Sequence, residues 1–232
     1  RFIDEGRALV HLGSASGLGG AAAWSVEADQ AGAEMGNAVA GAGDVNSDGY
    51  GDIVIGAHLY DNGESNEGMV SVFLGSASGP SAAPVFTVES NQAGAELGAA
   101  VAPAGDVNGD GYGDFIAGAS GWDNDQTNEG RALVYAGSPA TGVVGSAVRA
   151  VESDQANAAM GSAVAGAGDI NGDGLSEILI GASLYDGGQT DEGRALLFSG
   201  SRALLPAPNG IFYYFVRPEN FCGAGPLGFR SD

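Results

Sequence analysis

Asp44, Asn46, Asp48 and Asp52 occupy positions 1, 3, 5 and 9 of one short segment, with Gly49 at position 6. Alternate side chains of a tight loop converge, so these four bring hard oxygens together. The Tyr50 carbonyl at position 7 can join them, and glycine permits the sharp turn. An all-oxygen, flexible cage of six or seven donors suits Ca²⁺ better than the smaller, strictly octahedral Mg²⁺. The same set returns as Asp106, Asn108, Asp110, Tyr112 and Asp114, and again as Asp169, Asn171, Asp173, Leu175 and Glu177. About three Ca²⁺ sites are therefore expected.

Two other readings fit part of this pattern. An EF-hand loop begins in the same way but needs a bidentate Glu at position 12, where this chain has Ile55, Ala117 and Ile180. A plain Asx turn, with Asp and Asn bonded only to backbone, explains one copy. Three copies with three carboxylates each would repel strongly without a cation.

The elements that position these loops repeat with them. DVNSDGYGD, DVNGDGYGD and DINGDGLSE lie 62 and 63 residues apart, and a second marker, Glu-Gly, recurs at Glu5, Glu67, Glu129 and Glu192. A third marker is the run WSVEADQAGAEMG, seen again as FTVESNQAGAELG and RAVESDQANAAMG. Within the best-defined period, four strands are predicted, roughly Gly36 to Gly43, Asp52 to Ala57, Gly68 to Leu74 and Pro84 to Glu89. No segment has a helical apolar spacing, and 42 glycines in 232 residues disfavour helix. A four-stranded antiparallel unit cannot bury both faces alone, so the units must stack. The fold class expected is all-β, a β-propeller of four-stranded antiparallel blades with a repeat of 62–63 residues. Small-residue strands such as NAVAGAG would line the central channel, and bulkier MVSVFL and PVFTV would fill the space where blades splay apart.

The units GNAVAGAGDVNSDGYGDIVIGA, GAAVAPAGDVNGDGYGDFIAGA and GSAVAGAGDINGDGLSEILIGA resemble the FG-GAP repeat, the blade of integrin α-subunit propellers and of many bacterial secreted proteins. The resemblance covers about residues 1 to 200. The family's Phe-Gly pair stands here as Met35-Gly36, Leu97-Gly98 and Met160-Gly161. Its Gly-Ala-Pro stands as Gly56-Ala57-His58, Gly118-Ala119-Ser120 and Gly181-Ala182-Ser183. The resemblance implies that the acidic loop joins the first two strands of a blade and holds Ca²⁺. Glu177, longer than the family's Asp, sets the third loop apart.

The loops after each second strand carry an aromatic residue followed by Asp: Tyr60-Asp61, Trp122-Asp123 and Tyr185-Asp186. In the resembled family these loops lie on the face opposite the Ca²⁺ loops, where ligands bind. Such pairs could stack on a sugar ring or seat a protein anchor, or the rings could plug gaps between blades. The partner expected is an unknown extracellular protein or a glycan.

Enzymatic chemistry has little support. His11 and His58 do not recur between repeats, no G-x-S-x-G or H-x-x-E-H pattern is present, and Cys222 stands far from either histidine in sequence. A formal charge of −21 with no lysine excludes nucleic acid as a partner. No apolar run approaches the roughly 20 residues of a membrane-spanning helix. The expected function is a non-enzymatic calcium-binding propeller module for extracellular ligand binding or adhesion, secreted or on the cell surface. The alternative is an accessory propeller of a secreted hydrolase whose catalysis lies elsewhere.

The blades divide the chain into a partial blade at residues 1–35 and blades from about 36, 98 and 161, ending near 203. Residues 204–232 depart from the repeat, and IFYYFV at Ile211 to Val216 is expected either to replace the missing outer strand or to be unrelated sequence. Starting at Arg1, the chain reads as a processed product or a piece of a longer one. Three and a half blades need closure, by association of two copies into a seven-blade ring or within one chain as a four-blade ring.

Overall fold

The computed structural model describes residues 2–202 and the strand at 214–215. It is built of strands with tight turns between them, and among the described residues there is no helix. The partial first blade contains β1 (Arg7–Val10), the small hairpin β2 (Gly13–Ser14) and β3 (Gly17–Leu18), and β4 (Trp24–Glu27). The next blade is β5 (Ala38–Gly43), β6 (Asp52–Ala57), β7 (Met69–Phe73) and β8 (Phe86–Glu89). The third is β9 (Leu97–Gly105), β10 (Asp114–Ala119) and β11 (Arg131–Tyr135), a hairpin of β12 (Gly137–Ser138) and β13 (Gly142–Val143), then β14 (Arg149–Glu152). The last is β15 (Met160–Gly168), β16 (Glu177–Ala182), β17 (Arg194–Phe198) and β18 (Tyr214–Phe215).

Each full sheet runs in chain order, β5-β6-β7-β8, β9-β10-β11-β14 and β15-β16-β17-β18, and every pairing is antiparallel. Of the predicted closing run at 211–216 only Tyr214–Phe215 is described, and it pairs with Leu196 and Leu197 of β17. The rest of residues 203–232, Cys222 included, lies outside the described residues.

The sheets form the blades of a β-propeller. Their first strands pack against one another, β9 against both β5 and β15, and their small side chains allow that convergence. The second and third strands carry the bulk: every residue of β7 and of β10 is buried. Three apolar clusters fill the gaps between successive blades. The largest joins Val54, Val70 and Val72 to Leu97, Phe115, Leu133 and Tyr135. In it Phe115 stacks on Tyr135 at 5.1 Å, and Phe86 meets both rings.

The repeat markers are blade-to-blade contacts. Gly68 and Leu97 form a parallel bridge, as do Gly6 with Met35 and Gly130 with Met160. The start of one blade's third strand is thereby pinned to the start of the next blade's first strand. Gly98, at φ +91°, lies directly against Gly56 of the preceding blade, and Gly161 stands in the same relation to Gly118. The two glycine markers of the repeat therefore meet each other across the blade interface.

Candidate metal centre

Each acidic loop joins the first and second strands of a blade, opening at a bulge: Gly41 pairs with Ile53, but Gly43 pairs with Asp52. The bulge re-aims the chain out of the sheet. In the first loop Asp44 accepts the N–H groups of Asp48 at Oδ1 and Gly49 at Oδ2, 3.0 and 2.8 Å, and Asp48 Oδ1 accepts Tyr50 N–H at 2.9 Å. Asn46 donates from Nδ2 to Asp48 Oδ2 at 2.9 Å. The second loop repeats this set through Asp106, Asn108, Asp110, Gly111 and Tyr112.

Position 9 is built differently from the other three. Asp52 and Asp114 are buried, 2 % and 0 % exposed. Asp52 accepts Val45 N–H and Gly75 N–H, both at 2.7 Å, and Asp114 accepts Val107 and Gly137 at 2.8 and 2.9 Å. This carboxylate ties the loop to the end of its own blade's third strand. Burial pushes the Asp114 carboxyl up to about 7 against those two hydrogen bonds, and the nearby Asp110 and Asp106 charges add to the rise. Burial also raises Asp52, again with its loop carboxylates Asp44 and Asp48 contributing.

The third loop keeps the Asp169 and Asp173 bonds to backbone, but Glu177 changes the pattern. Its Oε2 accepts Ile170 N–H at 2.7 Å, and its longer arm brings Oε1 to Asn171 Nδ2 at 3.1 Å. Asn171 thus points its amide at Glu177, where Asn46 and Asn108 point theirs at the position-5 Asp.

The loops also stitch the blades together. Asp44 and Val45 carbonyls accept Gly113 and Ser138 N–H of the following blade, both at 2.8 Å; Asp106 and Val107 accept Ser176 and Ser201 in the same way, 2.9 and 2.8 Å. Anything that fixes the loop fixes the neighbouring blade.

The donor set fits a hard cation. Each loop offers three carboxylates and an amide oxygen, with no nitrogen or sulfur ligand type at these positions. A carboxylate oxygen accepting one N–H keeps a further lone pair, so these bonds orient donors without using them up. Among the described residues, the trio of carboxylates whose oxygens all approach within 4.8 Å of one another is Glu5, Glu27 and Asp29, which is not one of the loops.

The aromatic-Asp pairs sit at the opposite end of the blades. Tyr60, Trp122 and Tyr185 are half-buried, one against each inter-blade cluster. Arg131 lies over the Trp122 ring at 4.5 Å and Arg194 over Tyr185 at 4.7 Å. Asp61 Oδ1 accepts Asn66 N–H at 2.6 Å, Asp186 Oδ1 accepts Asp191 N–H at 2.7 Å, and Asp123 caps Asn128 likewise. These carboxylates shape their own turns.

Sequence reasoning missed a partner of these loops. Gln92 Nε2 donates to the Asp123 carbonyl at 2.6 Å, and Gln92 Oε1 accepts Asp123 N–H at 2.7 Å. Gln30 clasps Asp61 and Gln155 clasps Asp186 in the same two-bond way. The signal was present in the recurrent DQ, NQ and DQ dipeptides, each 31 residues before its partner. His58, which does not recur between repeats, is half-buried beside Glu34.

The FG-GAP repeat model matches residues 35–73, 97–135 and 160–198, each span running from a first strand through a third strand. The chain is 34 % identical over 158 residues to integrin alpha-PS2 of Drosophila melanogaster, covering 62 % of this chain and 11 % of that protein. It is 33 % identical over 106 residues to integrin alpha-5 of Xenopus laevis, 44 % of this chain and 10 % of the relative. Against integrin alpha-IIb of Mus musculus it is 39 % identical over 88 residues, 38 % and 8 % of the two chains. The chain thus spans about a tenth of the length of these relatives.

Proposed function

The chain belongs to the FG-GAP repeat family, and from that premise we propose that it is a non-enzymatic, calcium-binding propeller module for extracellular ligand binding or adhesion, secreted or displayed at a cell surface. The observation that carries this reading is the repeated acidic loop, whose backbone is bonded to the next blade. Asp44, Asn46, Asp48 and Asp52 with the Tyr50 carbonyl would hold one Ca²⁺. Asp106, Asn108, Asp110, Asp114 and the Tyr112 carbonyl would hold a second. Asp169, Asn171, Asp173, Glu177 and the Leu175 carbonyl would hold a third. The ion supplies charge neutralisation and cross-linking; the chain supplies donors already oriented by its own N–H groups.

The integrin identity of the relatives favours ligand binding over the alternative of an accessory propeller in a secreted hydrolase. No helix among the described residues is long and apolar enough to cross a membrane. The face bearing Tyr60, Asp61, Trp122, Asp123, Tyr185 and Asp186 is the proposed ligand face, but with their rings packed inward and their carboxylates engaged these residues frame it. Calcium enters the function by locking one blade to the next and so fixing the spacing of the loops on that face.

The test is a binding screen of the immobilised chain against extracellular matrix proteins and a glycan array, in Ca²⁺ and in chelator. The reading predicts at least one ligand bound in Ca²⁺ and released by chelator. Binding that is indifferent to chelator, or no ligand in either panel, contradicts it.

A further inference from the structure

The Glu-Gly markers at Glu5, Glu67 and Glu129 place a glutamate where carboxylates are seldom left, whereas Glu192 of the last blade is exposed. Glu67 is 0 % exposed and Glu129 is 1 % exposed, and each has a buried oxygen, Oε2 of Glu67 and Oε1 of Glu129, with no hydrogen-bond partner. A buried charged oxygen without a partner is strongly unfavourable. Something must compensate it.

The surroundings of these oxygens are more carboxylates. Asn62 N–H donates to Glu67 Oε1, and the same residue's Nδ2 donates to Glu89 Oε2 at 2.8 Å, so one asparagine holds both acids together. In the next blade Asn124 Nδ2 donates to Glu152 Oε2 at 3.1 Å, and Glu152, Asp154 and Asp125 crowd Glu129. In the partial blade the equivalent trio, Glu5, Glu27 and Asp29, brings its oxygens within 4.8 Å of one another.

Each of the three sets keeps an excess of negative charge. Glu5, Glu27 and Asp29 stand with Arg7, which faces Glu27 across β1 and β4; Glu129, Glu152 and Asp154 stand with Arg131, which faces Glu152. In the middle set Met69 occupies the arginine position opposite Glu89, and the third acid is replaced by Asn91. Three carboxylates with one guanidinium in the first set, and two with none in the second, each leave a formal −2; the set around Glu129, with Asp125 counted, leaves −3. One divalent cation cancels that charge in the first two sets and most of it in the third.

We infer that these sets form a second series of divalent-cation sites, at the end of the blades opposite the acidic loops. In each, the buried Glu of the Glu-Gly marker points an oxygen at the ion, and the last residue of the blade's outer strand, Glu27, Glu89 or Glu152, supplies another. The ligands are hard oxygens, so the cation class is that of calcium. The ion would tie the start of a third strand to the end of a fourth. This inference stands apart from occupancy of the acidic loops.

Terbium luminescence in the full chain tests it. Trp122 lines, with Glu89 and Arg131, a cleft of about 200 Å³ at this end, so it can sensitise an ion held there. Tb³⁺ emission excited through tryptophan should be displaced by Ca²⁺, and Trp122→Phe should remove most of it. Glu129→Gln should weaken the Tb³⁺ affinity about tenfold, because one ligand charge is lost. Asp154→Asn, at an exposed position that folding tolerates, should weaken it in the same direction. The loop variant Asp110→Asn should leave this signal in place. Tb³⁺ affinity unchanged in both Glu129→Gln and Asp154→Asn, or emission abolished by Asp110→Asn, would overturn the assignment.

Discussion

Gly56 and Gly98 touch backbone to backbone across two blades: a Cβ built on Gly56 would lie 2.0 Å from the Gly98 carbonyl oxygen. Gly118 and Gly161 repeat the contact at 1.9 Å. The neighbour in each case is main chain fixed in a sheet, which cannot swing aside as a side chain could.

Gly56→Ala should therefore cost stability by overpacking, about 3 kcal/mol, at the upper end for an added methyl in a filled interior. Gly51→Ala, where a Cβ meets nothing within 4 Å, is the control and should cost much less. Urea denaturation of the two variants measures the difference. Equal midpoints would show that the blades are not held at this spacing.

Position 9 and position 5 of an acidic loop should behave differently. Asp114→Ala strips an acceptor from two N–H groups, Val107 and Gly137, and should cost about 2–5 kcal/mol already in chelator, and more in calcium because a ligand is lost as well. Asp110→Ala loses bonds at an exposed loop, so its cost in chelator should be about 1 kcal/mol and should grow in calcium. Asp186→Ala, outside the loops, loses one turn bond to Asp191 and should cost about 1 kcal/mol in either condition. Melting the three variants in both buffers separates the roles. A calcium-dependent cost for Asp186→Ala equal to that of Asp110→Ala would reverse them.

The outermost blade leaves apolar groups uncovered. Val54 and Ile116 of the two preceding blades are 0 % exposed, whereas Leu179 at the same place in β16 is 38 % exposed; Val45 is 0 % exposed and its counterpart Ile170 is 60 % exposed. The acidic-loop carbonyls that bond the next blade lie on that same side. Association of two copies is the proposed cover. Light scattering in calcium should report a dimer or larger, and a monodisperse monomer with cooperative melting would rule this closure out.

Much of this architecture can be read from the chain because it repeats. The strand limits come from Gly, Asn and Asp punctuation, so Asp52 to Ala57 is found where expected. Gly56 and Gly98 are visible as markers, but their contact joins residues far apart in sequence. The acidic loops stand out by type and spacing. The division of labour inside them does not, because burial of Asp114 depends on Gly137, 23 residues away. Glu67 and Glu129 look like polar repeat markers next to glycine; only packing shows them to be buried. The aromatic-Asp pairs left recognition and gap-filling both open because a sequence gives no direction to a ring, and Trp122 packs inward under Arg131.

Each acidic loop is proposed to hold a calcium ion that locks its blade to the next. Calorimetric titration of the chelator-stripped chain with Ca²⁺, wild type beside Asp44→Asn, Asp106→Asn and Asp169→Asn, tests it most directly. Each substitution should remove one bound ion and lower the calcium-induced rise in melting temperature, a loss of about 3 kcal/mol per site at a hundredfold excess of calcium over Kd. An unchanged number of bound ions in all three variants, with the same melting rise as wild type, would contradict it.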